Sequence, residues 1–200
     1  LRYHFLGWER ADSIVVNPHK WLFTPIDCSV LYCRRPEQLR KAFSLTPEYL
    51  MTREDAGATN LMDYGVALGR RLRALKLWFV LRYFGKEGLA ERLREHCRLA
   101  AGFANQVERE VGWQVLAPVP FSTVVFRFCP ACSDGNAAET MDRINLAILD
   151  RVNETGEVFL SHTRLNDRVA LRLSVANLRT TEVHVSRAWE LLREAARVDL

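Results

Sequence analysis

The sequence contains very little lysine. Four of its 28 basic residues are lysines (Lys20, Lys41, Lys76 and Lys86), and the other 24 are arginines. A lysine amine can lose its proton and attack a carbonyl, whereas an arginine guanidinium stays charged. A lysine kept in such an arginine-rich chain is therefore a candidate for covalent chemistry. Lys20 is the clearest one, because it lies in the motif NPHKW directly after the apolar run SIVV.

Other absences exclude several classes of protein. No apolar run approaches the roughly 20 residues that span a membrane. The net charge of +4 is scattered, without the basic block that is typical of nucleic-acid binding. Five cysteines, an odd number, argue against a secreted disulfide framework and favour a reducing compartment. We therefore expect a cytoplasmic protein whose partners include neither nucleic acid nor membrane.

The start of the chain has the character of an internal segment. It begins at Leu1, and LRYHFLGWERADSIVVN leads into a strand that has no partner strand before it. We expect a piece of a longer protein whose N-terminal part is missing. The alternative is a complete protein from which a tag has been cleaved.

The pattern of apolar residues predicts two regions that meet near residue 86. In the first region, strands are expected at 11–17 and 28–33, a long irregular loop at 34–60, and a helix at 64–84 that Gly85 ends. From residue 88 on, the pattern predicts the order α-β-β-α-β-β-α, which is typical of a small α+β layer domain. Its elements are expected at 88–110, 113–117, 122–129, 138–153, 158–165, 168–175 and 181–198, with Thr180 or Thr181 as the last N-cap.

Four blocks of sequence carry a family resemblance. They are ADSIVVNPHKWLFTPIDCSVLYCR, TPEYL, LGRRLRALKLWFVLRYFG and SHTRLNDRVALRLSVANLRTT, in this order. Together they resemble the group II pyridoxal-phosphate-dependent amino-acid decarboxylases, and the aromatic-L-amino-acid branch more than the glutamate branch. The resemblance covers essentially the whole chain.

The resemblance implies an α/β protein of fold type I of the pyridoxal-phosphate enzymes, which is aspartate-aminotransferase-like. Residues 1–85 would form the C-terminal part of the cofactor-binding large domain, with a mobile catalytic loop at about 42–60, and residues 86–200 the small α+β C-terminal domain. It further implies a homodimer that decarboxylates an aromatic L-amino acid to its amine and carbon dioxide. The alternatives are an aldehyde synthase, an acidic-amino-acid decarboxylase, or a non-catalytic dimerising fragment.

Particular residues match the family's site. By resemblance, Lys20 binds pyridoxal 5'-phosphate covalently, and His19 and Asn17 lie near the cofactor phosphate. Tyr49 in TPEYL matches the tyrosine of the catalytic loop, which reaches over the partner subunit's site and protonates the substrate carbon. The matching residue is phenylalanine in relatives that make aldehydes; an exposed loop tyrosine is the plain alternative. Gly69 matches a position in the substrate side-chain pocket, where glycine leaves room for a large ring.

Several parts of the family's site have no counterpart in the sequence. By resemblance, the aspartate that pairs with the cofactor's ring nitrogen, the histidine that stacks on the ring, and most of the phosphate-binding turn precede this stretch. Asp12 is not placed to be that aspartate. We therefore expect this chain on its own to be an inactive fragment of the decarboxylase.

Other motifs leave alternatives open. Arg70, Arg71 and Arg73 could be active-site residues, but arginines in such a helix more often pair with carboxylates and hold subunits together. Cys129 and Cys132 form a C-x-x-C sequence that could be half of a zinc site, a redox pair, or two plain loop cysteines. A tetrahedral zinc site needs two more ligands, so no metal is predicted.

Overall fold

The structure is a computed structural model that describes residues 2–45, 57, 59–130 and 137–199. It divides into two compact units, Leu1–Gly85 and Lys86–Leu200. Within the described ranges, no helix has the length and hydropathy needed to cross a membrane. Each unit has its own sheet and is described separately.

The first unit is built on a two-stranded antiparallel sheet. Strand β1 (Ser13–Val16) pairs with strand β2 (Val30–Cys33), with Ser13 opposite Cys33 and Val16 opposite Val30. A one-turn helix, α1 (Pro18–Trp21), follows β1 directly. Proline suits this first helical position, because its fixed φ is helical and its missing N–H would have had no partner. Helix α2 (Pro36–Phe43), three short 3-10 turns and the start of helix α3 (Arg73–Arg109) complete the unit; the turns are Arg2–Phe5, Trp8–Arg10 and Leu61–Tyr64.

Two sequence predictions for this unit are wrong. The expected irregular loop at 34–60 contains α2, whose start signals are a proline at the first helical position and Glu37 in the first turn. The helix expected from 64 begins only at Arg73. Apolar spacing predicted the earlier start, but Gly65 is fully extended and the residues that follow it are exposed. Most of the predicted catalytic loop lies outside the described residues.

The predicted helix end at Gly85 is confirmed. Inside α3 this residue has φ 65° and ψ 175°, which no α-helical residue adopts. A φ of this sign costs glycine nothing, because it has no Cβ. The break falls at the last residue of the first unit.

The first unit buries very little of its apolar surface. Among its described residues, only Pro18, Thr24, Cys28 and Asp63 are buried. Val15 and Tyr32 of the sheet are each 61% exposed. Several large apolar side chains of α3 are also exposed: Leu75, Trp78, Phe79, Leu81 and Tyr83. A two-stranded sheet is only marginally stable by itself in water, so this surface indicates a need for further packing.

The second unit has the predicted order of elements. Its elements are β3 (Trp113–Val115), β4 (Thr123–Phe128), α4 (Ala137–Glu154), β5 (Ser161–Leu165), β6 (Arg168–Ser174) and α5 (Glu182–Ala196). The strands form one antiparallel sheet in the order β3-β4-β6-β5, and the second part of α3 with α4 and α5 supplies the helical layer. Along β4 exposure alternates, with Val124, Phe126 and Phe128 buried, because successive side chains point to opposite faces.

Four aromatic side chains form the centre of the second unit's core. Phe103 of α3 packs on Phe126 and on Trp189 of α5, with ring centroids 5.1 and 5.7 Å apart. Trp113 lies 5.2 Å from Trp189 in an edge-on arrangement. Each such pair contributes about 0.5–1.5 kcal/mol beyond the burial of its area. These contacts join a helix layer to the sheet within one continuous core.

A buried amide links α4 to the end of β4. The side chain of Asn145, which is fully buried, accepts a hydrogen bond from the Phe128 N–H at 2.9 Å and donates to the Phe128 carbonyl at 2.9 Å. It also donates to the Met141 carbonyl at 2.8 Å. These bonds satisfy backbone groups that would otherwise be buried without a partner.

Replacing Asn145 with alanine should destabilise the second unit by about 1–3 kcal/mol, because the Phe128 N–H loses its buried acceptor. Urea unfolding followed by circular dichroism measures this change. Asn105→Ala is the matched control, since Asn105 is exposed on α3 and its loss should change stability by less than about 0.5 kcal/mol. Equal shifts for the two variants would contradict this account of Asn145.

Candidate active site

The NPHKW motif forms a tight turn at the end of β1. The strand ends at Val16, and α1 then carries His19 and Lys20 on consecutive positions. The Lys20 N–H donates to the Asn17 carbonyl at 3.0 Å, which closes the turn. The structure thus brings three of the predicted site residues, Asn17, His19 and Lys20, into one helical turn.

The side chain of Lys20 is available for chemistry. It is exposed and makes no hydrogen bond or ion pair with any residue that the structure describes. An amine held in an ion pair would have to leave its partner before it could attack a carbonyl. Lys20 has no such obstacle among the described residues.

The imidazole of His19 is fixed by one backbone segment. Its Nδ1 lies 2.6 Å from the Cys28 carbonyl oxygen and 3.2 Å from the Cys28 amide nitrogen. The His19 N–H also donates to the Cys28 carbonyl, at 3.3 Å. These contacts leave Nε2 without a partner among the described residues. In the imidazolium form both ring nitrogens donate, so Nε2 can bind an anion while Nδ1 donates to Cys28.

Asn17 is oriented in a similar way. The Ser29 hydroxyl donates to Asn17 Oδ1 at 2.6 Å. Because the amide oxygen is engaged, the two amide N–H groups point elsewhere and can donate to another acceptor. Asn17 and His19 therefore both present donors beside Lys20, a set that suits a phosphate group.

Asp27 is a functional candidate that the sequence analysis missed. Its carboxylate lies 2.8 Å from Arg73 Nε, 3.4 Å from Arg71 Nη2 and 3.9 Å from Lys76 Nζ. The hydrogen bond from Arg73 is the largest cause that holds the pKa of Asp27 below its ordinary value. Two of the three arginines of LGRRLR thus pair with a carboxylate of their own unit, and Arg70 donates to the Leu61 carbonyl.

The remaining predicted site residues are not brought to the NPHKW turn or lie outside the described residues. Gly69 is exposed, and a Cβ added to it would meet nothing within 4 Å, so the described residues do not close a pocket around it. Tyr49 lies outside the described residues. Of the C-x-x-C pair, Cys129 follows β4 directly and is partly buried, and Cys132 lies outside the described residues. No group of three or more potential metal ligands occurs in the part of the chain that the structure describes.

Residues 1–129 match the family described as the pyridoxal-dependent decarboxylase conserved domain. This match covers more than half of the chain. The chain therefore belongs to the pyridoxal-dependent decarboxylase family, as the sequence blocks around Lys20 predicted. Pyridoxal phosphate as the cofactor of the family is confirmed with it.

Curated relatives agree with the aromatic branch of this family. A tryptophan decarboxylase of Camptotheca acuminata is 39% identical over 98% of this chain and 39% of its own length. A phenylacetaldehyde synthase of Arabidopsis thaliana is 37% identical over 98% of this chain and 40% of its own length. The chain thus spans about two fifths of the length of the curated relatives it matches.

Solved structures share the fold. An Oryza sativa TDC crystallised with PLP and tryptamine has a TM-score of 0.88 and 35% identity, covering 98% of this chain and 41% of that one. The Catharanthus roseus tryptophan decarboxylase in complex with L-tryptophan has a TM-score of 0.85 and 32% identity, covering 100% of this chain and 39% of that one. The predicted fold class, fold type I of the pyridoxal-phosphate enzymes, is confirmed.

The packing of Cys28 gives a direct check of the site's geometry. This thiol is 2% exposed, whereas Cys33 is only partly buried. In the native chain, iodoacetamide should therefore alkylate Cys28 roughly tenfold or more slowly than Cys33, because reaction requires local opening. Peptide mapping by mass spectrometry gives both rates, and the difference should vanish in urea. Equal native rates would mean that residues 27–29 do not pack against the NPHKW turn as described.

Proposed function

We propose that this chain carries the lysine-bearing part of the active site of a decarboxylase that acts on an aromatic L-amino acid. The observation that supports the proposal most is the NPHKW turn, in which Lys20, whose amine has no partner among the described residues, shares one helical turn with the oriented side chains of His19 and Asn17. The tryptophan and tyrosine decarboxylases among the relatives support the choice of an aromatic substrate.

The residues present fit pyridoxal 5'-phosphate. Lys20 would bind the cofactor aldehyde covalently, and His19 and Asn17 would donate to the phosphate oxygens. When bound, the cofactor supplies an electron sink for the substrate carbon as carbon dioxide leaves. The work of this chain is to hold the phosphate, to keep the amine of Lys20 unpaired, and to orient the two relative to each other.

Tyr49 and Gly69 complete the proposed assignments. We assign to the Tyr49 phenol the proton that the substrate carbon receives after decarboxylation. Gly69 is assigned to the side-chain pocket, where the absence of a Cβ leaves room for an aromatic ring.

The proposed partners are the rest of the protein and a second copy of it. The first unit leaves large apolar side chains exposed on its sheet and on α3, and this chain covers only 39% of the length of a related tryptophan decarboxylase. Burying these side chains in a larger domain and a homodimer would remove that apolar surface from water. The isolated chain is therefore proposed to be inactive. The thiols of Cys28, Cys33 and Cys97, which form no disulfide in the part of the chain that the structure describes, support a cytoplasmic location.

Two alternatives have an observation in their favour. The phenylacetaldehyde synthase among the relatives favours an aldehyde product. The exposed apolar surface of the first unit favours a non-catalytic dimerising module. Size-exclusion chromatography of this chain, with and without the rest of the protein, tests the second alternative, since a module of that kind would dimerise without it.

Incubation of the intact protein with pyridoxal phosphate, followed by borohydride reduction, should label Lys20 and leave Lys41, Lys76 and Lys86 largely unlabelled. Lys20 has no ion-pair partner among the described residues and shares its turn with the proposed hydrogen-bond donors to the phosphate, whereas the Lys76 amine lies 3.9 Å from the Asp27 carboxylate. Mass spectrometry of the peptides gives the site, and Lys20→Arg is the negative control because arginine cannot form the link. Label spread evenly over the four lysines would refute the proposed role of Lys20.

The same labelling of the isolated 200-residue chain separates the contribution of the NPHKW turn from that of the rest of the protein. Selective label at Lys20 would show that the turn activates its lysine without further parts of the active site. Equal label at all lysines, with selective label in the intact protein, would show that the remaining chain is required.

Replacing Tyr49 with phenylalanine in the intact protein should change the product from amine toward aldehyde, with dissolved dioxygen oxidising the unprotonated substrate carbon and being reduced to hydrogen peroxide while ammonia is released. The reason is that the substrate carbon loses its proton donor, which should lower amine formation by about 10²–10⁴-fold. Chromatography of the products after incubation with L-tryptophan or L-tyrosine measures the amounts of amine and of aldehyde. Tyr64→Phe, at a described 3-10 turn of the same unit, is the matched control. Unchanged amine output from Tyr49→Phe would refute the role of Tyr49.

A further inference from the structure

We propose that Asp27 is a positioning residue of the candidate active site, because its ion pairs fix residues 27–29 and these residues hold the NPHKW turn. The inference rests on the proposed function of Lys20, His19 and Asn17. It adds a residue that acts through its neighbours in the chain.

The first link joins Asp27 to α3 and the residues just before it. Arg73 donates its Nε–H to Asp27 Oδ2 at 2.8 Å, and Arg71 and Lys76 add cations at 3.4 and 3.9 Å. The Arg73 and Lys76 side chains are 34% and 28% exposed, so water screens these pairs less than it screens a pair on an open surface. The lowered pKa of Asp27 agrees with a carboxylate that stays ionised among these cations.

The second link is made by the side chain of the next residue. Cys28 is 2% exposed, and its Sγ lies 3.9 Å from the Arg73 carbonyl oxygen. Arg73 therefore contacts residues 27 and 28 from both its side chain and its backbone. Since few other described residues of this unit are buried, this contact is one of the few buried contacts that hold residues 27 and 28 in place.

The third link runs from residues 28 and 29 to His19 and Asn17, which are predicted to donate hydrogen bonds to the cofactor phosphate. The backbone of Cys28 contacts the His19 ring nitrogen through both its N–H and its carbonyl. The hydroxyl of Ser29 donates to the Asn17 amide oxygen. Three consecutive residues thus make three separate connections, with Asp27 facing α3, Cys28 facing His19 and Ser29 facing Asn17.

These links predict which property depends on Asp27. Loss of the carboxylate charge would release residues 27–29 from Arg73, and the donors of His19 and Asn17 would lose their common orientation. Lys20 itself would keep its amine and could still form the covalent link to the cofactor aldehyde. The variant should therefore bind pyridoxal phosphate more weakly while Lys20 is still the labelled residue at saturating cofactor.

The test uses Asp27→Asn in the intact protein, with Asp12→Asn as the matched control. Asp12 is also a carboxylate of the first unit paired with an arginine, Arg35 at 2.9 Å, but it makes no contact with the NPHKW turn. We expect the dissociation constant for pyridoxal phosphate, titrated by absorbance, to rise about tenfold for Asp27→Asn and by less than about twofold for Asp12→Asn. Alkylation of Cys28 should be faster in Asp27→Asn only.

Two further variants separate positioning from general loss of structure. Asp27→Glu keeps the charge and should recover most of the cofactor affinity. Arg73→Gln should weaken binding in the same direction as Asp27→Asn, and the double variant should be about as weak as either single one, because both remove one interaction. Arg73→Gln also keeps the test decisive if Asp27→Asn does not fold.

The outcomes distinguish this inference from the function on which it rests. Selective labelling of Lys20 in the wild type with unchanged cofactor affinity in Asp27→Asn and Arg73→Gln would overturn the role of Asp27 alone. Additive losses in the double variant, or no recovery in Asp27→Glu, would overturn it as well. No selective labelling of Lys20 in the wild type would instead refute the proposed function.

Discussion

The contact between the backbone of Cys28 and the ring of His19 is the interaction on which the candidate site depends. α1 is only one turn long, so it has too few internal hydrogen bonds to hold its own side chains in place. Its orientation comes from outside, through Cys28 at His19 and Ser29 at Asn17. A short helix that is held in this way can present donors and an amine together, which a flexible loop could not do.

The two units differ in how much apolar surface they bury. The second unit buries a continuous core around Phe103, Phe126 and Trp189, which it builds entirely from its own helices and sheet. In the first unit, which carries Lys20, four described residues are buried and many large apolar side chains are exposed. The candidate site thus belongs to the unit whose sequence provides the least packing, which agrees with a chain that spans about two fifths of its relatives.

The sequence predictions of helices and strands were more accurate for the second unit than for the first. In the second unit, local periodicity and tertiary packing favour the same elements, so the order α-β-β-α-β-β-α and the break at Gly85 are confirmed. In the first unit, apolar spacing predicted a helix from residue 64, although residues 65–72 are not helical and α3 begins at Arg73. Helix α2 was missed, because its start signals of proline and Glu37 lie in a polar stretch without a clear apolar period.

The sequence by itself determined the family, the fold class and the cofactor, because the NPHKW motif and its neighbouring blocks are contiguous and specific. Only the tertiary structure decided how the motif is held. Asp27 and Arg73 are 46 positions apart, and no local pattern links a carboxylate in one turn to a guanidinium at the start of a distant helix. Their pairing arises when the chain folds, since it depends on which backbone segments pack together rather than on the residues next to either one.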